Sequence, residues 1–180
     1  AAGQALRLMG RLDEAAEKFR LAASQDSTEA RAKLELVETL AAGKKYREAA
    51  DLLSQFVASH GATLDALTRL ATLLARAGDR KKAEEVLDDV LGRDGQFRDA
   101  LTLRALLAAT EGDPDRAEQL YRRALAVDSG DVDAKMGLAR VLIDARRLDE
   151  ARPILLEVWS TVEAAKVAGG EPGVEVAQEL

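Results

Sequence analysis

The sequence predicts an all-α protein, a right-handed superhelical α-solenoid of antiparallel helix pairs. Three observations carry this. Ala15, Ala49, Ala83, Ala117 and Ala151 stand 34 residues apart, a period that marks stacked supersecondary units. The positions around each alanine repeat in kind: Phe19, Leu53, Leu87, Tyr121 and Leu155 four residues on, and Leu6, Leu40, Leu74, Ala108 and Leu142 nine residues before. Finally, apolar residues make up 47% of the chain but aromatics only 3%, so the core must come from Leu, Ala and Val, which suits closely packed helices.

Each unit reads as two helices. The remaining phased positions are Ala22, Phe56, Val90, Ala124 and Val158, then Ala23, Val57, Leu91, Leu125 and Trp159, and in the first helices Gly3, Val37, Ala71, Ala105 and Ala139. Spacings of three and four put these on one helical face. The first helices are expected over 1–9, 29–42, 62–77, 96–111 and 131–144, the second over 13–25, 46–59, 80–92, 114–127 and 148–167. Short turns join them. Gly10, Gly43, Gly78 and Gly112 are expected to supply the left-handed residue that ends the first helix. Asp113 followed by Pro114 is a helix restart, an acidic cap with proline at the first helical position. Small residues at the helix crossing let backbones approach. One such hairpin cannot bury its own apolar face, and a stack of them can.

The units fall at 1–29, 30–63, 64–97, 98–131 and 132–167, the first lacking its opening turn, with 168–180 as a tail or the start of a further segment. The last helix carries Pro153 near its start and is expected to cap the stack with a polar outer face.

The pattern is clearest in GDPDRAEQLYRRALAVD (112–128), GDRKKAEEVLDDVLGRD (78–94) and GRLDEAAEKFRLAASQD (10–26). It resembles the tetratricopeptide repeat family, with about five repeats. The match departs at the family's tryptophan site, which holds Lys33, Leu67, Leu101 and Lys135, and at its leucine site, which holds Arg104 in the fourth unit.

The resemblance implies that the first helices line an inner groove that binds a protein or peptide partner. Carried over by phase, the groove residues are Gln4, Arg7 and Leu8; Arg31, Leu34, Glu35, Glu38 and Ala41; Asp65, Thr68, Arg69, Thr72 and Arg76; Asp99, Thr102, Leu103, Leu106 and Thr110; and Asp133, Met136, Arg140 and Asp144. Asp65, Asp99 and Asp133 share one phase. They form an acidic ladder or serve the first turns of their helices. Arg7, Arg31, Arg69, Arg76 and Arg140 receive carboxylates of a ligand or pair with those acids. The family's chaperone-binding members hold a carboxylate with lysine and asparagine, and this chain has no asparagine, so that ligand is not expected.

Other classes find little support. The net charge is −6 with no basic run longer than a pair, so no nucleic-acid partner is expected. No cysteine occurs, which excludes disulfides and cysteine-based metal sites. No apolar run approaches the roughly 18 residues of a membrane span, and no signal peptide opens the chain. The single histidine, His60, has no motif partner, and no phosphate loop or nucleophile elbow occurs. The sequence therefore predicts a non-enzymatic scaffold without cofactor or metal. It is read as bacterial and cytoplasmic, or periplasmic as part of a longer chain. The alternatives are a homo-oligomer joined through solenoid ends and a regulatory region of a longer enzyme or secretion and assembly protein.

Overall fold

A computed structural model describes residues 2–24 and 29–167; the expectation for 168–180 lies outside them. Among the described residues there are ten α-helices and no strand: α1 (Ala2–Leu8), α2 (Leu12–Ala23), α3 (Glu29–Ala42), α4 (Tyr46–His60), α5 (Leu64–Arg76), α6 (Arg80–Arg93), α7 (Arg98–Glu111), α8 (Pro114–Val127), α9 (Val132–Asp144) and α10 (Leu148–Val167). The 34-residue rhythm thus resolves into five helix pairs.

The chain divides into two compact units, Ala1–Phe97 and Arg98–Leu180. Within the first, α1 to α6 pack in chain order, neighbour on neighbour; within the second, α7 to α10 do the same, and α7 also meets α9. The phased alanines explain the close packing. Ala15, Ala49, Ala83 and Ala117 are fully buried and Ala151 nearly so, because a methyl group is all that fits where two backbones cross. The larger residues one turn later fill the space beside them. In the first unit Phe19, Val37, Leu40, Leu53 and Leu70 form one continuous core across three helix pairs.

The first helix of every pair ends in the same way. The N–H groups of Gly10, Lys44, Gly78, Gly112 and Arg146 bond to carbonyls of the preceding turn, and those of Arg11, Lys45, Asp79, Asp113 and Arg147 reach back to Leu6, Leu40, Leu74, Ala108 and Leu142 at 2.8–3.0 Å. This is the Schellman closure, with one left-handed residue at its centre. That residue has φ of 73° at Gly10, 85° at Gly78 and 82° at Gly112, but 57° at Lys44 and 62° at Arg146. The expected role of Gly43 is therefore corrected: the period places the left-handed residue one position later, on Lys44. A side chain there costs about 1–2 kcal/mol in local sterics, partly offset by the entropy glycine loses on folding. Lys44→Gly and Arg146→Gly should each raise stability by about 0.5–1 kcal/mol, read as a shift in the urea midpoint with unchanged slope.

Helix starts depend on caps that the sequence only partly announced. Asp113 accepts a hydrogen bond from the Arg116 N–H at 3.1 Å, with Pro114 at the first helical position. Thr63 caps α5 through the Ala66 N–H at 3.2 Å, and Asp131 caps α9 through the Ala134 N–H at 3.0 Å. Asp65, Asp99 and Asp133 stand in the first turns of α5, α7 and α9, where they favour the helix dipole without being the capping residue. Helix α10 runs unbroken through Pro153. Its exposed residues are mixed: Arg152, Glu157, Ser160 and Thr161 stand among Leu156, 61% exposed, and Trp159, 59% exposed.

Candidate functional site

In the first unit, the helices that open each pair (α1, α3 and α5) line a cleft of about 580 Å³. Arg7 comes from α1, Arg31, Leu34, Glu35, Glu38 and Ala42 from α3, and Arg69 from α5. On α3 these residues recur every three or four positions and so share one face. Of the expected groove residues the structure thus gathers Arg7, Arg31, Leu34, Glu35, Glu38 and Arg69. It adds Ala42, where the sequence suggested Ala41.

The charges in this cleft are held by neighbours in adjacent pairs. Arg7 forms an ion pair with Glu35 at 2.9 Å, and the Gln4 amide donates to the same carboxylate at 3.0 Å. Arg69 is paired with Glu38. Both links cross from one helix pair to the next and fix side chains that would otherwise be free to rotate. Arg31 is exposed and makes no ion pair with any described residue. Leu34, one turn along α3 from Arg31, is 39% exposed.

The rest of the expected first-unit groove behaves differently. Thr68 and Thr72 turn their hydroxyls onto their own helix, donating to the Leu64 and Thr68 carbonyls at 2.9 Å each. Thr68 is buried and does not present its hydroxyl to a ligand. The Arg76 guanidinium sits over the Tyr46 ring, 5.7 Å from its centroid, a cation–π contact rather than a free donor. Asp65 is exposed.

In the second unit, α7 and α9 carry the corresponding face. Leu106 is 50% exposed, Met136 half-buried, and Asp99, Asp133 and Arg140 exposed. Thr102 donates to Asp131 at 3.3 Å. Arg98 reaches Asp99, Asp128 and Asp131 at 2.5, 3.2 and 3.6 Å. The sequence reading missed this cluster, although Asp131 stands two residues before Asp133, where a helix cap belongs.

Tyr121 on α8 lies under this face. Its ring packs against Gly137 of α9. Burial pushes its phenol up to about 12, Arg140 pulling it back down and Asp133 adding to the rise. An unfolded tyrosine titrates near 10, so the folded chain holds this proton more tightly. That contribution to stability is complete below about pH 10 and is lost as pH rises through about 12. Two units correspond to about 2–3 kcal/mol. Wild type should lose this much more stability than Tyr121→Phe between pH 9 and 12 in denaturant titrations.

Among the described residues no group of three or more His, Asp or Glu could hold a metal ion. No described helix is long and apolar enough to cross a membrane. His60 ends α4, exposed, with its ring stacked on Phe56 at 4.4 Å and its Nδ1 2.8 Å from the Ser59 hydroxyl.

Comparison with known proteins bears on the repeat itself. Sequence models of the tetratricopeptide repeat match residues 34–97 and 68–130, and a second one matches 108–165. The chain belongs to the tetratricopeptide repeat family. A search of curated proteins finds no match. Among solved structures, the chain is similar to MamA at 18% identity, covering 92% of this chain and 97% of that one, with a TM-score of 0.73. It is also similar to TTC0263 of Thermus thermophilus, at 22% identity over 88% and 87% of the two chains, with a TM-score of 0.69. A third structure is YrrB, described as a tetratricopeptide repeat protein with an unusual peptide-binding site, at 20% identity over 87% and 80%, TM-score 0.61. At such identities the likeness concerns the fold.

Within the tetratricopeptide repeat frame the departures have local explanations. Leu67 and Leu101 fill the tryptophan site as buried aliphatic residues. Lys135 there remains half-buried and ion-paired with Glu157 at 2.8 Å. Arg104 replaces a core leucine and is nonetheless buried, its long apolar stem taking the place of aliphatic volume.

Proposed function

We propose that the protein is an interaction scaffold that holds a peptide or helix of a partner protein against the faces formed by the first helices of its repeats. The observation that carries this reading is the first-unit cleft, where three successive helix pairs contribute to one open surface. Arg7–Glu35 and Arg69–Glu38 fix its charges before any ligand arrives, which lowers the ordering cost of binding. Its exposed Leu34 stands one turn from Arg31, which makes no ion pair with any described residue, and the two offer apolar contact and directional hydrogen bonding. The peptide-binding description of YrrB, a protein of similar fold, supports the same use.

The test is selection of binders from a random peptide library on the immobilised chain. Selected peptides should lose at least tenfold in affinity on Arg69→Glu or Leu34→Glu, while helicity and melting temperature hold. Peptides that bind both variants as they bind wild type would remove the proposal.

Self-association is the second reading. It is favoured by two large apolar side chains exposed on α10, Leu156 and Trp159. It predicts a mass that rises with concentration in light scattering and returns to the monomer value in Trp159→Glu. A constant monomer at high concentration would exclude it.

A further inference from the structure

We infer that the protein forms a two-fold dimer through α10, the helix of one copy lying antiparallel against the same helix of a second copy. The inference rests on the self-association reading above and names the surface, the partner and their orientation. Helix α10 packs on α9 and buries Ala151 and Val158. Away from those two, Arg152, Leu156, Trp159 and Glu163 follow one another at steps of four, three and four, the spacing that draws one stripe along a helix. Leu156 and Trp159 are both more than half exposed. Arg152 is exposed and Glu163 half-buried.

The stripe is complementary to itself when reversed. Its midpoint falls between Glu157 and Val158. Leu156 and Trp159 lie equally far on either side of that point, and Arg152 and Glu163 equally far beyond them. When a second copy is turned end over end about this midpoint, Leu156 of each copy meets Trp159 of the other. Arg152 of each copy then meets Glu163 of the other. The apolar pairs cover one another at the centre, and an ion pair closes each end. This is the self-complementary patch that a two-fold interface requires. A parallel pairing would set arginine on arginine and glutamate on glutamate, so the order of charges selects the antiparallel one.

A further helix pair of the same repeat is a poorer complement. Five residues after the repeat alanine, α2 and α8 carry Arg20 and Arg122, each ion-paired with a glutamate of the following pair, Glu48 and Glu150. In α10 that position holds Leu156. The ionic link between successive pairs is thus replaced by an aliphatic group. An aliphatic group there calls for an apolar partner, which Trp159 of a second copy supplies.

The experiment is sedimentation equilibrium of the full chain. One helix crossing is smaller than the roughly 1,600 Å² of a standard interface, so the dimer is a weak one and is followed up to about millimolar concentration. Wild type should reach twice the monomer mass and stop there. Arg152→Glu and Glu163→Arg should each weaken association at least tenfold, since each sets like charges against one another across the axis. Mixed in equal amounts, the two variants should associate with each other at least tenfold more tightly than either does with itself, because both ends of the mixed pair then join opposite charges. Trp159 is the chain's one tryptophan, so its emission should move to shorter wavelength in wild type and in the mixture, but not in either variant alone. Circular dichroism checks that both variants keep wild-type helicity. A mass that climbs past the dimer overturns the inference, as do single variants that dimerise like wild type or a mixture no tighter than its components. If Trp159→Glu breaks the assembly while the charge variants do not, the antiparallel pairing falls and self-association stands. A monomer at every concentration removes both.

Discussion

Gly137→Ala is expected to destabilise the second unit by about 2–3 kcal/mol, although the same change inside an exposed helix normally stabilises. Alanine is the better helix former by about 1 kcal/mol, and Gly137 lies within α9. The sign reverses because a Cβ there would stand 2.5 Å from Tyr121 Cε1 and its hydroxyl oxygen, and closer still to Cζ. The ring is buried between α8 and α9, so relief requires a shift of packed side chains, which typically costs 1–3 kcal/mol and occasionally more. Tyr121→Leu removes the colliding atoms. The double variant should therefore be more stable than the sum of the two single changes predicts, with a coupling of about 1 kcal/mol or more. Gly92→Ala is the control. Gly92 lies in α6 with no atom within 4 Å of a built Cβ, so this change should gain about 0.5–1 kcal/mol. Urea unfolding of the four variants separates the cases. A neutral Gly137→Ala would mean that Tyr121 does not pack on Gly137.

Leu53→Ala should cost about 3 kcal/mol. Leu53 is fully buried in the core that joins α2, α3, α4 and α5. Truncation loses the transfer energy of the side chain and leaves a cavity that the surrounding helices fill only in part. Because helix pairs in such a stack lend each other their core, the loss should loosen hydrogen-exchange protection in α3 and α5 as well as α4. Trp159→Ser on the exposed face of α10 should change stability by less than about 0.5 kcal/mol. Equal costs for the two changes would contradict the assignment of inner and outer faces.

The candidate cleft was partly legible. The family resemblance, carried over by phase, named Arg7, Arg31, Leu34, Glu35, Glu38 and Arg69, since a helix brings positions three and four apart onto one face. Phase could not say which arginine stays unpaired, because Arg7–Glu35 and Arg69–Glu38 are contacts between helices. Nor could it tell that Thr68 and Thr72 spend their hydroxyls on their own helix. The Arg98 cluster escaped for a related reason: Asp128 and Asp131 lie about thirty residues away in sequence and meet Arg98 only through packing.

The sequence by itself determined the helix pairs, their order and the buried alanine of each, because a 34-residue period with three- and four-residue spacing leaves one way to hide the apolar face. It also held the true position of the left-handed turn residue, one place after Gly43, for a reader who follows the period rather than the glycine. Tertiary structure alone decided where that period is broken for fit. Gly3 lies against the Phe19 ring and Gly137 against Tyr121, since a ring in the helix-crossing layer takes the volume a neighbour's Cβ would need. It alone decided, too, which charges neutralise one another and which is left facing outward, because those distances are set between helices rather than along them.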